Sequence, residues 1–183
     1  MEAGERRIPA TMTRLDAVGE TLRRVAPGAP LRKGLDSIVR AHTGALVVVG
    51  GQPKIDAVIE GGFRLDAPFM PSALHELAKM DGAILVDEAC EHILTANVGL
   101  TPTLAFHSAE TGIRHRRAER VARQTGALVL AVSERRDVVT VYRANLHCVL
   151  HDLGYLLVKA TQAISSLVQS DRLLVSELAA LSL

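Results

Sequence analysis

Three short runs in this chain are apolar at every position and bounded by glycine or a turn. They are Gly44-Ala45-Leu46-Val47-Val48-Val49-Gly50, Ala83-Ile84-Leu85-Val86 and Ala127-Leu128-Val129-Leu130-Ala131-Val132. A strand with one wet face alternates polar and apolar positions, whereas a strand apolar on both faces is covered on both. The three runs therefore predict central strands. Ile93–Val98 is a further strand candidate, with Asn97 inside it as an amide that needs hydrogen-bond partners if buried. Val138–Arg143 and Leu146–Leu150, rich in β-branched residues and joined across Ala144-Asn145, predict a hairpin.

Helical spacing fills the intervals. Met12, Leu15, Val18, Leu22 and Val25 share one face of a helix that Pro27-Gly28-Ala29-Pro30 ends. A second helix is expected over Leu31–Ala41 with Leu35, Ile38 and Val39 inward. Pro71 and Ser72 open a third, with Leu74, Leu77 and Met80 as its inner stripe. A fourth runs over Arg114–Thr125, with Gly126 suited to cap it. Gly51-Gln52-Pro53 reads as a turn. Ile55–Glu60 fits either a helical turn or a strand, and Gly61-Gly62-Phe63 breaks it. Residues 99–112 form a long connection, which in a compact domain often carries function. Beyond the hairpin, Leu153, Leu157, Ala160, Ile164, Leu167, Leu174, Leu178 and Leu181 fall on steps of four and three, a heptad seam interrupted at Asp171. The expected fold is α/β: a single layered domain with a mixed, mostly buried central sheet flanked by helices, plus a long C-terminal helix. The expected divisions are a flexible tail at 1–10, the domain at 11–150 and a linker or oligomerisation helix at 151–183.

Composition narrows the function. With 183 residues, 48% hydrophobic and 22% charged, the chain can bury the core of one domain. Aromatics are 3% and Trp is absent, which argues against a stacking platform for single-stranded nucleic acid. A net charge of +1 gives no global attraction to nucleic acid or anionic membrane, so any anion site must be local. Cys90 and Cys148 form no motif and read as reduced, partly buried residues of a cytoplasmic protein. No run approaches the ~18 apolar residues that span a bilayer. The charged start, Met1 to Arg7, does not resemble a signal peptide.

Two stretches carry candidate chemistry. In Lys79-Met80-Asp81-Gly82-Ala83 a carboxylate stands at a strand edge beside a glycine, where a ligand can approach the backbone closely. The same residues also make an ordinary turn. In Thr111-Gly112-Ile113-Arg114-His115-Arg116-Arg117-Ala118-Glu119-Arg120, cations crowd the opening turns of a helix. Free N–H groups, the positive dipole end and bidentate guanidinium groups together describe a phosphate site. The competing reading is a solvated helix face with Glu119 paired to Arg116 or Arg120. No Walker loop and no G-x-G-x-x-G occur, and the remaining histidines lack zinc spacing. Beside a polyphosphate, Asp81 would hold Mg²⁺ or Mn²⁺ and help deprotonate an attacking hydroxyl.

Asp81-Gly82-Ala83 and Arg114-His115-Arg116, in this order, resemble the D-G-A and R-H-R motifs of the diadenylate cyclases, in particular the DNA integrity scanning branch. Gly61-Gly62-Phe63, Ala96-Asn97-Val98, Ala118-Glu119-Arg120 and Val139-Thr140-Val141-Tyr142-Arg143 agree, and the resemblance covers roughly residues 12–150. It implies condensation of two ATP into cyclic di-AMP with release of two pyrophosphates, across a face-to-face subunit pair within a homo-oligomer as large as an octamer. It assigns Asp81 to metal binding and 3′-hydroxyl activation. Gly82, Ala83 and Leu100 would line the adenosine, and Arg114, His115, Arg116 and Ser133 would hold phosphates. Three positions depart from the family pattern: Ile113 replaces a threonine, Gly99 a glutamine and Arg117 a small residue. One lost hydroxyl costs nucleotide binding about 0.5–1.5 kcal/mol. The alternative is a catalytically weak or inactive nucleotide-binding and oligomerisation module of the same fold. The branch also carries a C-terminal DNA-binding helical domain; this sequence stops before it, as a fragment or as a short form, so DNA binding is not carried over.

Overall fold

The all-apolar runs lie side by side at the centre of a sheet. The computed structural model describes residues 18–50, 55–151 and 153–181. Its strands are β1 (Ala45–Val49), β2 (Ile59–Glu60), β3 (Phe63–Pro68), β4 (Ala83–Val86), β5 (His92–Leu100), β6 (Leu128–Ser133), β7 (Val138–Arg143) and β8 (Leu146–Leu150). Helical residues 18–24 form α1, followed by α2 (Pro30–Arg40), α3 (Pro71–Leu77), α4 (Ile113–Thr125) and α5 (Leu153–Leu181). The eight strands are ordered β2-β5-β4-β1-β6-β7-β8, with β3 also pairing β5. Among the described residues only β1 and β4 run parallel, and every other pairing is antiparallel. The sheet is mixed, as the hairpin pattern implies.

Alternation along the central strands divides the core in two. Ala45, Val47, Val49, Ile84, Val86, Leu128 and Leu130 join Leu31, Leu35 and Ile38 of α2 and Leu74 of α3. On the other face Leu46, Val48, Ala83, Leu85, Val129 and Ala131 join Ala118, Val121 and Ala122 of α4. Each face of the sheet thus carries its own helical layer, and this is why β1 and β4 need no polar face. The antiparallel partners of this parallel pair bring four strand ends to one edge. The starts of β1 and β4 meet the ends of β6 and β5, with Ala45 opposite Val132 and Ala83 opposite Val98.

Four details differ from the sequence expectation. Phe63–Pro68, read only as following a glycine break, is a strand paired to β5. It is almost wholly exposed, so no apolar alternation marks it. Ile55–Glu60 divides into a 3₁₀ turn at Asp56–Val58 and then β2. Met80 is 46% exposed because α3 ends at Leu77, and Ala78 takes the inward place. Asn97 is exposed, with φ +55°, rather than a buried amide. It sits where β5 advances from Thr95 to Val98 against only Leu85 to Ala83 of β4, the extra residue of a bulge. Gly51-Gln52-Pro53, Met12 and Leu15 lie outside the described residues, as does the 1–10 tail.

The chain divides into two units, Met1–Leu150 and His151–Leu183. In the second, the seam positions Leu157, Ile164, Leu167 and Leu174 are exposed. Among the described residues no helix is long and apolar enough to cross a membrane. In the first unit, Leu35 is fully buried between α2 and the sheet. Leu35→Ala is expected to lower stability by about 2–5 kcal/mol, read as an earlier urea midpoint with an unchanged slope.

Candidate functional site

The edge where the strand ends meet is built around Gly82. Its φ is +110°, a conformation that residues with a Cβ rarely adopt. A Cβ there would lie 2.8 Å from the carbonyl carbon of Asn97, 2.9 Å from its Oδ1 and 3.0 Å from its Cα. The bulge on β5 thus brings its backbone against the turn before β4, and only glycine leaves room for it. Asp81, the residue before, is exposed at the mouth of the cavity so formed.

The opposite wall is the start of α4. Gly112 caps the helix with extended backbone and no side-chain cap. The amide of Arg116 closes the first turn on the Gly112 carbonyl at 2.9 Å, leaving the earlier N–H groups of the helix without helical partners. The Arg114 guanidinium lies over Gly44, where a methyl group would overlap Nη1 and come within 2.6 Å of Cζ. His115 is 8% exposed and meets Tyr142 edge-on, with ring centroids 6.4 Å apart. Burial pushes its pKa below the usual histidine value. The Glu110 carboxylate opposes that, while Arg136, Arg114 and His147 add to it. Burial thus favours the neutral imidazole of His115.

A third wall is the turn after β6. The amide of Arg136 donates to Ser133 Oγ at 3.3 Å, and the amide of Asp137 to the Ser133 carbonyl at 3.0 Å. The same turn is tied to the segment before β1 by His42 Nδ1 and Asp137 Oδ1 at 2.9 Å.

Together these walls enclose a cavity of about 1010 Å³, at the upper end of the ~300–1,000 Å³ usual for small-molecule sites. Asp81, Gly82, Ala83, Leu100, Arg114, His115 and Ser133, all singled out in the sequence, line it. Arg116 does not: it is exposed and outside the lining. Arg117, Arg135 and Arg136 do line it, giving four guanidinium groups with Arg114 against the carboxylates of Asp81 and Glu134. No sequence motif marks Arg135 and Arg136, which reach the cavity through the turn after β6. Ile113 is 66% exposed within the lining. Among the described residues no group of three or more His, Cys, Asp or Glu is arranged to hold a metal ion. A lone carboxylate still suits Mg²⁺ or Mn²⁺, which take one or two carboxylates and fill the remaining positions with substrate phosphates and water.

Glu119 does not pair with Arg116 or Arg120. It bonds Arg123 at 2.6 Å and accepts from Ser108 Oγ. Arg120 Nε donates to the Phe106 carbonyl at 3.0 Å, Arg123 Nη1 to the His107 carbonyl at 2.7 Å, and the Thr103 amide to Gln124 Oε1 at 2.9 Å. Much of the charge on α4 therefore straps the 101–112 connection along the helix.

Two glycines separate backbone strain from collision. Gly126 has φ +73° with open space around a Cβ, whereas Gly82 has both positive φ and the Asn97 backbone. Gly126→Ala is expected to cost about 1 kcal/mol. Gly82→Ala is expected to cost more, about 2–4 kcal/mol, because strain and overpacking add. Paired urea denaturation curves check the order.

A family profile for DisA bacterial checkpoint controller nucleotide-binding matches residues 32–146. The chain is 50% identical over 158 residues to the DNA integrity scanning protein DisA of Bacillus pumilus, covering 86% of this chain and 44% of that protein. It is 51% identical over 150 residues to the same-named protein of Bacillus licheniformis, covering 82% and 42%. The chain thus spans less than half the length of these curated relatives. Two crystal structures share its fold. One is a hypothetical membrane spanning protein from Bacillus cereus, with TM-score 0.61 at 22% identity over 79% of this chain and 78% of the other. The other is DacA from Staphylococcus aureus, with TM-score 0.54 at 18% identity over 75% and 90%. With the profile covering most of the chain and half of the aligned residues identical, this protein belongs to the DisA nucleotide-binding family.

Proposed function

We propose that this chain is a diadenylate cyclase that condenses two ATP into cyclic di-AMP and two pyrophosphates. The observation that carries the reading is a cavity in which Asp81-Gly82-Ala83 faces the uncapped start of α4 and four arginines. A carboxylate opposite concentrated cationic and N–H donors is the arrangement that nucleotidyl transfer requires: one end activates a hydroxyl and the other neutralises phosphate charge.

In this reading Gly82, Ala83 and Leu100 receive the adenosine, whose approach needs the bare backbone at Gly82. The α4 amides, Arg114, His115 and Ser133 take phosphate oxygens, and Arg117, Arg135 and Arg136 supplement them. Arg116 remains in the proposal as a phosphate ligand that acts from outside the lining. Asp81 draws the proton from a ribose 3′-hydroxyl. That oxygen forms a bond to the α-phosphorus of the ATP held by a facing subunit, and the bond from that phosphorus to pyrophosphate breaks. A second such step in the reverse sense closes the ring. Bound Mg²⁺ or Mn²⁺ would be held by Asp81 and phosphate oxygens and would supply further charge neutralisation. Each cavity holds one nucleotide, so the mechanism requires a homo-oligomer built on face-to-face pairs. No membrane partner is proposed.

The test is incubation with ATP and Mg²⁺ or Mn²⁺, with products weighed by mass spectrometry. Wild-type protein is expected to form cyclic di-AMP. Asp81→Asn is expected to lose about 10²-fold or more of the rate while keeping its thermal transition, because Asp81 is exposed and carries no core packing. A folded, oligomeric wild type that binds ATP without forming product would instead identify an inactive nucleotide-binding module. The exposed Ile113 in the lining would then be the first position to revert to threonine.

A further inference from the structure

Glu110 closes the 101–112 connection immediately before the Thr111-Gly112 lining, and its surroundings are unlike those of the other carboxylates near the cavity. The Tyr142 hydroxyl of β7 donates to Glu110 Oε1 at 2.8 Å, and His147 Nε2 of β8 stands 3.4 Å from the same oxygen. The His147 ring stacks on Tyr142, with centroids 5.2 Å apart and planes at 18°. Tyr142 also meets His115 edge-on, with the ring planes at 78°. Tyr142 is 1% exposed. A carboxylate, a buried phenol and two imidazoles thus form one packed group behind the phosphate-facing wall, contributed by the connection, β7, β8 and α4.

Resting on the cyclase reading above, we propose that Glu110 is a positioning residue for nucleotide phosphates: held between Tyr142 and His147, it fixes the Thr111-Gly112 turn and the His115 ring. Glu110 is not on the cavity wall itself and acts through its neighbours. Burial and the Glu110 contact push the Tyr142 hydroxyl far above its ordinary range, so it remains a donor to Glu110 at every physiological pH. The charged groups facing His115 are Glu110 from the connection, Arg114 from its own helix, Arg136 from the β6–β7 turn and His147 from β8. Among these only Glu110 favours the imidazolium; Arg114, Arg136 and His147 oppose it. Glu119 adds a further negative charge near Tyr142.

The signs give a test that simple loosening of the fold does not mimic. The imidazole of His115 is titrated by NMR in the unliganded protein, and ATP affinity is measured by calorimetry on the same samples. Glu110→Gln removes the one group that raises the His115 pKa, so its midpoint should move down by about half a unit or more. His147→Asn removes a group that opposes the His115 imidazolium, so the midpoint should move up. Glu110→Gln should also weaken ATP binding about five- to tenfold, with Arg117 and Arg135 untouched. These results support the proposal. Midpoints that stay at the wild-type value in both folded variants overturn it, and so does wild-type ATP affinity in Glu110→Gln. If Glu110→Gln does not fold, His147→Asn carries the same titration, and an unmoved midpoint there is the overturning result. A wild type that binds no ATP refutes the cyclase reading, while the His115 titrations still decide whether Glu110 positions that ring.

Discussion

The site depends on one close approach of two backbones. Gly82, at φ +110°, lies against Asn97, itself at φ +55° in the bulge of β5. A bulge bends its strand and sharpens the local twist. Here that turns β5 across the start of β4, and the cavity opens along the same edge, with Val98, Gly99 and Leu100 of β5 in its lining. The apolar interior supplies the rigidity: β1, β4 and β6 are buried on both faces and hold the four strand ends in fixed register.

The electrostatics follow from what the fold leaves uncompensated. The start of α4 has no side-chain cap, and four guanidinium groups share one cavity with two carboxylates. Like charges confined in this way repel, and a bound polyanion relieves that repulsion. Other charges on α4 are already committed: Arg120 and Arg123 hold carbonyls of the 101–112 connection, and Glu119 holds Ser108. The helix therefore divides its charge between a structural face that straps the connection and a cavity face that remains open to an anion.

How much of this could be read from the sequence depended on the range of the interactions. Fully apolar runs announce burial on both faces, so β1, β4 and β6 were legible, as was the β7–β8 hairpin. Of the D-G-A and R-H-R stretches, Asp81, Gly82, Ala83, Arg114 and His115 line the cavity, whereas Arg116 does not. β3 was not legible, because Phe63–Pro68 is exposed and is held by main-chain pairing to β5, which no side-chain pattern records. Arg135 and Arg136 enter the cavity only through the strand order, which places the β6–β7 turn beside the start of β1. Tyr142 and His147 face each other across the β7–β8 hairpin, but Glu110 joins them from 32 residues away, which no local pattern records. The exposure of Asn97 is not legible either, because period-two alternation assumes a regular strand and Asn97 sits at positive φ in a bulge.

The most direct test of the whole account is a crystal structure with a non-hydrolysable α,β-methylene analogue of ATP and Mg²⁺. The account predicts the phosphates against the Gly112–His115 turn within reach of Arg114 and Arg136, the ribose beside Asp81, and the base over Gly82 and Leu100. A triphosphate bound away from the start of α4, with Asp81 facing only solvent, would contradict it.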